Sequence, residues 1–124
     1  EFLIVHALDG YDEVSLTGGA KIITRKGDRI IQPEDLGLSR HDSAAIHGGT
    51  TIEETAQIFE TIITGKGTKA QEEVVLANSG LALYCGDPAL GYEGAVEKAR
   101  ESLKSGKALE TFKKLINKST THAL

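Results

Sequence analysis

The sequence predicts an α/β fold, a few strands that include a β-hairpin followed by three to four helices, and three features of its 124 residues carry that reading. A continuous apolar run opens the chain at Phe2-Leu3-Ile4-Val5, and two β-branched runs flank Lys26-Gly27-Asp28. From Ile52 onward, apolar residues recur at the three and four spacing of one helix face. Strands first and helices later would by themselves suggest α+β. The unbroken first run, however, reads as a strand buried on both faces, which requires cover on two sides. We therefore read residues 1–124 as a portion of an α/β sheet domain whose remaining strands lie upstream. The sequence holds no Met, which fits a piece of a longer chain and equally a processed start.

The first strand runs into Leu8-Asp9-Gly10-Tyr11-Asp12-Glu13, a loop with three carboxylates and a turn glycine. Ala20 to Arg25 and Arg29 to Gln32 form a hairpin around Gly27, which can take positive φ at no steric cost. Pro33 to Leu38 closes it, and Ser39 to Gly49 reads as an irregular connection with one helical turn around Ser43 to His47. Thr51 with Glu54 makes a capping box ahead of a helix carrying Ile52, Thr55, Ala56, Phe59, Ile62 and Ile63 on one face, ended by Gly65. Thr68 with Gln71 offers a second box, ahead of a largely buried helix through Leu83 that Asp87-Pro88 breaks near Gly86. Tyr92, Ala95, Val96, Ala99 and Leu103 define a third helix ending at Gly106, and Leu109, Phe112, Leu115 and Ile116 a short last one. The tail from Ser119 to Leu124 is expected to fray.

Composition narrows the function classes. Fourteen Lys and Arg against eighteen Asp and Glu leave a net charge of -4, which argues against a nucleic-acid surface built from clustered cations. The densest basic group, Lys113, Lys114 and Lys118, fits the end of a helix, where cations favour the dipole. No apolar stretch approaches the roughly 20 residues that span a bilayer, so no membrane association is expected. The single cysteine, Cys85, cannot form an internal disulfide and sits in an apolar run, where a buried thiol in a reducing, cytoplasmic setting is the simpler reading than a nucleophile.

Most candidate chemistry has a structural explanation of greater weight. His6, His41, His47 and His122 show no metal-ligand spacing, so zinc is not expected, and His6, at the end of the first strand, reads as a satisfied structural histidine. Asn78-Ser79-Gly80 lies inside a helix and lacks the strand-to-helix turn of a serine nucleophile. Gly48-Gly49-Thr50-Thr51 precedes a helix as anion-binding loops do, yet lacks a P-loop lysine, which favours a capping role. Asp9, Asp12 and Glu13 remain, just past the carboxyl end of a strand, where open α/β sheets place ligands. Adjacent carboxylates repel unless water or a cation separates them. Magnesium, held by one or two carboxylates plus waters and phosphate oxygens, suits Asp12 and Glu13; a solvated acidic turn is the competing reading.

The ordered pieces then point to a family. Val5-His6-Ala7-Leu8-Asp9-Gly10-Tyr11-Asp12-Glu13-Val14-Ser15-Leu16-Thr17-Gly18 resembles the V-H-G-x-D-G-L-D-E-x-S-x-T-G signature of the anthranilate phosphoribosyltransferases. Pro33 to Leu38 resembles that family's P-E-D-F-G-L. Gly48-Gly49 with Glu53 to Ala56 is similar to its G-G-x-x-E-E-N-A with one extra residue, and Val75 to Tyr84 to its V-L-L-N-A-A-L-A-L-Y. Ala7, Tyr11 and Thr55 stand where the family has Gly, Leu and Asn.

The resemblance implies transfer of the phosphoribosyl group of phosphoribosyl pyrophosphate to anthranilate in tryptophan biosynthesis, by an enzyme that is a homodimer at full length. It implies Mg2+ as cofactor with Asp12 and Glu13 as its ligands, Glu13 reaching the pyrophosphate through the metal. It also makes residues 1–124 the C-terminal part of the α/β domain, without the N-terminal helical domain and the phosphate-binding loop, so that no catalytic group lies in the fragment, which is expected to be inactive alone. A related pyrimidine nucleoside phosphorylase and a non-catalytic binding module are the alternatives.

Overall fold

The computed structural model describes residues 1–121. Three strands, β1 (Leu3–Ala7), β2 (Ala20–Thr24) and β3 (Gly27–Ile31), form an antiparallel sheet in the order β1-β2-β3. Val5 stands opposite Ile22 and Ala7 opposite Ala20, while Ala20 also faces Ile31 across β3. The β2–β3 pair is the expected hairpin, its turn falling on Arg25 and Lys26, and Gly27 has φ 117°. Single 3-10 turns follow at Pro33–Leu36 and Ser43–Ile46.

Four helices follow among the described residues: α1 (Ile52–Ile63), α2 (Lys69–Gly86), α3 (Gly91–Lys104) and α4 (Lys107–Thr121). The starts of α1 and α2 have a local cause. Thr68 Oγ1 accepts from the Gln71 N–H, and Gln71 returns the bond to the Thr68 N–H at 3.0 Å, the reciprocal box expected. At α1 only half of that box forms: Thr51 accepts from the Glu54 N–H, but the Glu54 carboxylate binds the N–H and hydroxyl of Thr50. The last helix runs longer than its apolar spacing suggests, through Thr121, while His122 and the rest of the expected frayed tail lie outside the described residues.

The core lies between the inner face of the sheet and the α2–α3 pair. Ile22 and Ile31 from the strands, Leu16 and Leu36 from the loops, Leu76 and Leu81 from α2, and Val96 and Leu103 from α3 are buried together. Each large side chain removed from water contributes about 1.5–3 kcal/mol. The two helices touch most closely at Gly80, where an added Cβ would stand 2.6 Å from Val96 Cγ2 and 3.0 Å from its Cα. Further out, Phe59 of α1 meets Phe112 of α4 edge-on, with centroids 4.7 Å apart.

Among the described residues the first strand alternates: Leu3, Val5 and Ala7 face the core, while Ile4 is 53% exposed. The described helices cover one side of this sheet, and the other side carries Ile4, His6 and Ile30.

Candidate functional site

The acidic loop spans residues 8–19 between β1 and β2, and its shape is imposed by three anchors. The first is internal. Asp9 Oδ2 accepts hydrogen bonds from the Ser15 hydroxyl at 2.9 Å and from the Thr17 hydroxyl, and the Thr17 N–H donates to Ser15 Oγ at 3.1 Å. Gly18 passes so close that a Cβ there would stand 3.1 Å from Asp9 Oδ2. The Thr17 hydroxyl, opposed by partial burial and aided by Ser15, holds the Asp9 carboxyl below its ordinary value of 3.8. Asp9 thus shapes the loop and is not a free ligand.

The second anchor is the segment after the hairpin. Leu16 is fully buried in the left-handed region, φ 62°, which L side chains rarely adopt. Its carbonyl accepts the His41 N–H at 2.9 Å, and the Arg40 guanidinium donates to the Thr17 carbonyl. His41 is itself held, its Nε2 lying 2.7 Å from Glu73 Oε2 on α2. Burial pushes Glu73 up, but the His41 ring, the Ser39 N–H and the Lys69 ammonium outweigh it and leave its carboxyl below the ordinary 4.5. The third anchor, Asn78 of α2, bonds both the N–H and the carbonyl of Val14, at 3.0 and 2.9 Å.

Between these anchors Asp12 and Glu13 are exposed, and neither has a hydrogen-bond or ion-pair partner among the described residues. Glu13 borders an open groove with Asn78, Leu81 and Cys85. No third His, Cys, Asp or Glu joins the two carboxylates in a metal-binding group among the described residues. A pair of solvated carboxylates on a rigid loop fits a cation that takes one or two of them and fills its shell with waters and phosphate oxygens.

The other sequence candidates are dispersed. His6 lies on the solvent side of the sheet, His47 Nδ1 accepts the Gly49 N–H, and Cys85 is a half-buried free thiol rather than a fully buried one. Gly48 and Gly49 lead into the cap of α1, where Thr51 Oγ1 accepts the Glu54 N–H and the chain's own Glu54 carboxylate accepts the N–H and hydroxyl of Thr50. The sequence assigns no anchoring role to Ser15, Thr17, His41, Glu73 or Asn78, although Ser15, Thr17 and Asn78 stand within the motifs quoted above.

The profile described as "Glycosyl transferase family, a/b domain" matches residues 1–109. The chain belongs to that family. Within it, the chain is 51% identical over 116 residues to an anthranilate phosphoribosyltransferase of Cytophaga hutchinsonii, covering 94% of the chain and 35% of the relative. The crystal structure of anthranilate phosphoribosyltransferase from Thermus thermophilus superposes with a TM-score of 0.79 at 28% identity, over 90% of this chain and 33% of that one. The Saccharomyces cerevisiae enzyme in complex with PRPP and Mg shares the fold, with a TM-score of 0.85 at 22% identity over 96% of this chain and 34% of that one. The chain spans about a third of the length of the relatives it matches. Its α/β architecture, strands and hairpin first and helices after, is that of these glycosyl transferase family structures. No helix among the described residues is long and apolar enough to cross a membrane.

The glycosyl transferase family chain should also lose stability in acid. Both depressed carboxyls contribute stabilisation that is complete above their unfolded values, 3.8 and 4.5, and lost as pH falls through their lower folded values. Urea midpoints are expected to drop between about pH 5 and pH 3. Glu73→Gln, which cannot be protonated, should be less stable by about 1–3 kcal/mol at neutral pH and show a shallower acid decline. An identical acid limb in both proteins would remove Glu73 from this account.

Proposed function

We propose that this chain is part of an anthranilate phosphoribosyltransferase and supplies the loop that holds Mg2+ through Asp12 and Glu13. The observation that carries the reading is the contrast within one loop: Asp9 is consumed by Ser15 and Thr17, whereas Asp12 and Glu13 are left solvated and unpartnered. Support also comes from relatives of that name at 51% and 52% identity. In the reaction the anthranilate nitrogen bonds to C1 of the ribose, the bond from C1 to the pyrophosphate oxygen breaks, and the nitrogen gives up a proton. When bound, the cation would offset charge on the departing pyrophosphate. Asp12 and Glu13 would hold it against those oxygens, Glu13 thereby binding substrate indirectly, and neither moves a proton.

In this reading residues 1–124 are the C-terminal part of the α/β domain, and the helical domain and phosphate-binding loop belong to the two thirds of the relatives that the chain does not span. The functional enzyme is then a cytoplasmic homodimer of the longer form. The test is anthranilate consumption, followed by its fluorescence, with phosphoribosyl pyrophosphate and Mg2+. Turnover is expected from the full-length form and none from the 124-residue chain. An inactive full-length form would refute the function; an active 124-residue chain would refute the division of labour.

A further inference from the structure

We propose that Asn78 is a positioning residue for the Mg2+-binding loop, setting the backbone from which Glu13 projects; its catalytic consequence rests on the function proposed above. Asn78 sits in the middle of α2, 64 positions from Val14, where an aliphatic residue would serve the core at least as well. Its amide leaves the helix and grips both peptide units that flank Val14. The Val14 N–H, which belongs to the peptide joining Glu13 to Val14, donates to Oδ1 at 3.0 Å. Nδ2 donates to the Val14 carbonyl at 2.9 Å, and its second hydrogen goes to the Val74 carbonyl at 3.0 Å, which orients the side chain.

Val14 is 3% exposed, so water cannot replace these bonds, and an irregular loop has no neighbouring strand to supply them. The amide therefore acts as a one-residue strand partner. It fixes the plane of the peptide immediately after Glu13, while Asp9 fixes the Ser15 side of the same loop. Glu13 and Asn78 border one groove, so the gripped backbone and the metal-binding carboxylate lie together. Groups that orient a ligand without touching the metal typically change metal affinity or activity by 10–100-fold when removed.

The test uses the full-length protein with Asn78→Ala and Asn78→Asp. The aspartate keeps an acceptor for the Val14 N–H but turns a charge on the Val14 carbonyl, and it carries the test should the alanine variant not fold. Val96→Ala, which loosens the α2–α3 contact at Gly80 without removing a hydrogen bond to the loop, is the control for general loosening. Two readouts are taken: the Mg2+ concentration that half-saturates turnover, and the backbone amide resonances of Glu13 and Val14. The Asn78 variants are expected to raise half-saturation about tenfold, with turnover at saturating Mg2+ within about threefold, and to shift both resonances. Val96→Ala should change neither. Half-saturation within about twofold of the parent, or an equal rise in Val96→Ala, overturns the proposal. If the parent shows no Mg2+-dependent transfer, the functional reading fails on its own; unmoved Glu13 and Val14 resonances would then overturn the positioning role and shifted ones would support it.

Discussion

Replacing Asp12 with Asn and Glu13 with Gln together in the full-length protein is expected to lower kcat/KM at fixed Mg2+ by about a hundredfold or more, with almost no change in thermal stability. The size follows from the several kcal/mol that a metal ion contributes by offsetting charge in a transition state, at about 1.4 kcal/mol per tenfold in rate. The absence of a stability change follows from the fold: both side chains are exposed and neither has a hydrogen-bond or ion-pair partner among the described residues. The amides also keep the shape of the acids and relieve their mutual repulsion. Asp9→Asn, by contrast, disturbs the acceptor of two hydroxyl groups and should shift the loop itself. Unchanged Mg2+ dependence in the double variant would sink the metal assignment, and a large fall in melting temperature would contradict the solvated, unpartnered geometry.

The largest stability effect expected from a single added methyl is at Gly80. In an exposed helix, Gly→Ala gains about 1 kcal/mol. Here the methyl would meet Val96 at 2.6 Å from Cγ2, 3.0 Å from Cα and 3.1 Å from N, and the last two are backbone atoms that move only if α3 moves. Overpacking of that kind costs about 1–3 kcal/mol, so the sign reverses and Gly80→Ala should be net destabilising by about 1 kcal/mol in urea unfolding. A double-mutant cycle with Val96→Ala separates the clash from propensity: removing Cγ2 should recover part of the loss, leaving a coupling of about 1 kcal/mol. A stabilised Gly80→Ala would mean that α2 and α3 slide apart without penalty.

Much of the fold could be read from local signals because the residues that cause it are close in the chain. Gly27 between two β-branched runs makes the hairpin, and Thr68 with Gln71 starts α2 through bonds three residues apart. What could not be read depends on partners far away. The run Phe2-Leu3-Ile4-Val5 is apolar throughout, and nothing in it marks which residues turn toward the α2–α3 pair, as Leu3 and Val5 do, and which turn away, as Ile4 does. Glu54 bonds Thr50 rather than Thr51, next to a Gly49 at φ 90°. At the site, three carboxylates just past β1 were visible as a group, but their division into one structural acid and two unpartnered ones required knowing where Ser15 and Thr17 fold back. His41 with Glu73, and Val14 with Asn78, meet across 32 and 64 positions and left no local trace. Leu16 at φ 62° is the extreme case, since only its surroundings make a buried left-handed leucine tolerable.

The reach from Asn78 back to Val14 has a consequence for the order in which the molecule assembles. Contacts that close a long stretch of chain form late, because the entropy of closure must be overcome before they return any stabilisation. The acidic loop can therefore take its final form no earlier than α2 settles on the sheet, and any excursion that lifts α2 releases the loop as well. Ligand competence and the docking of one helix are thus tied together, with α2 serving at once as core and as clasp for the loop.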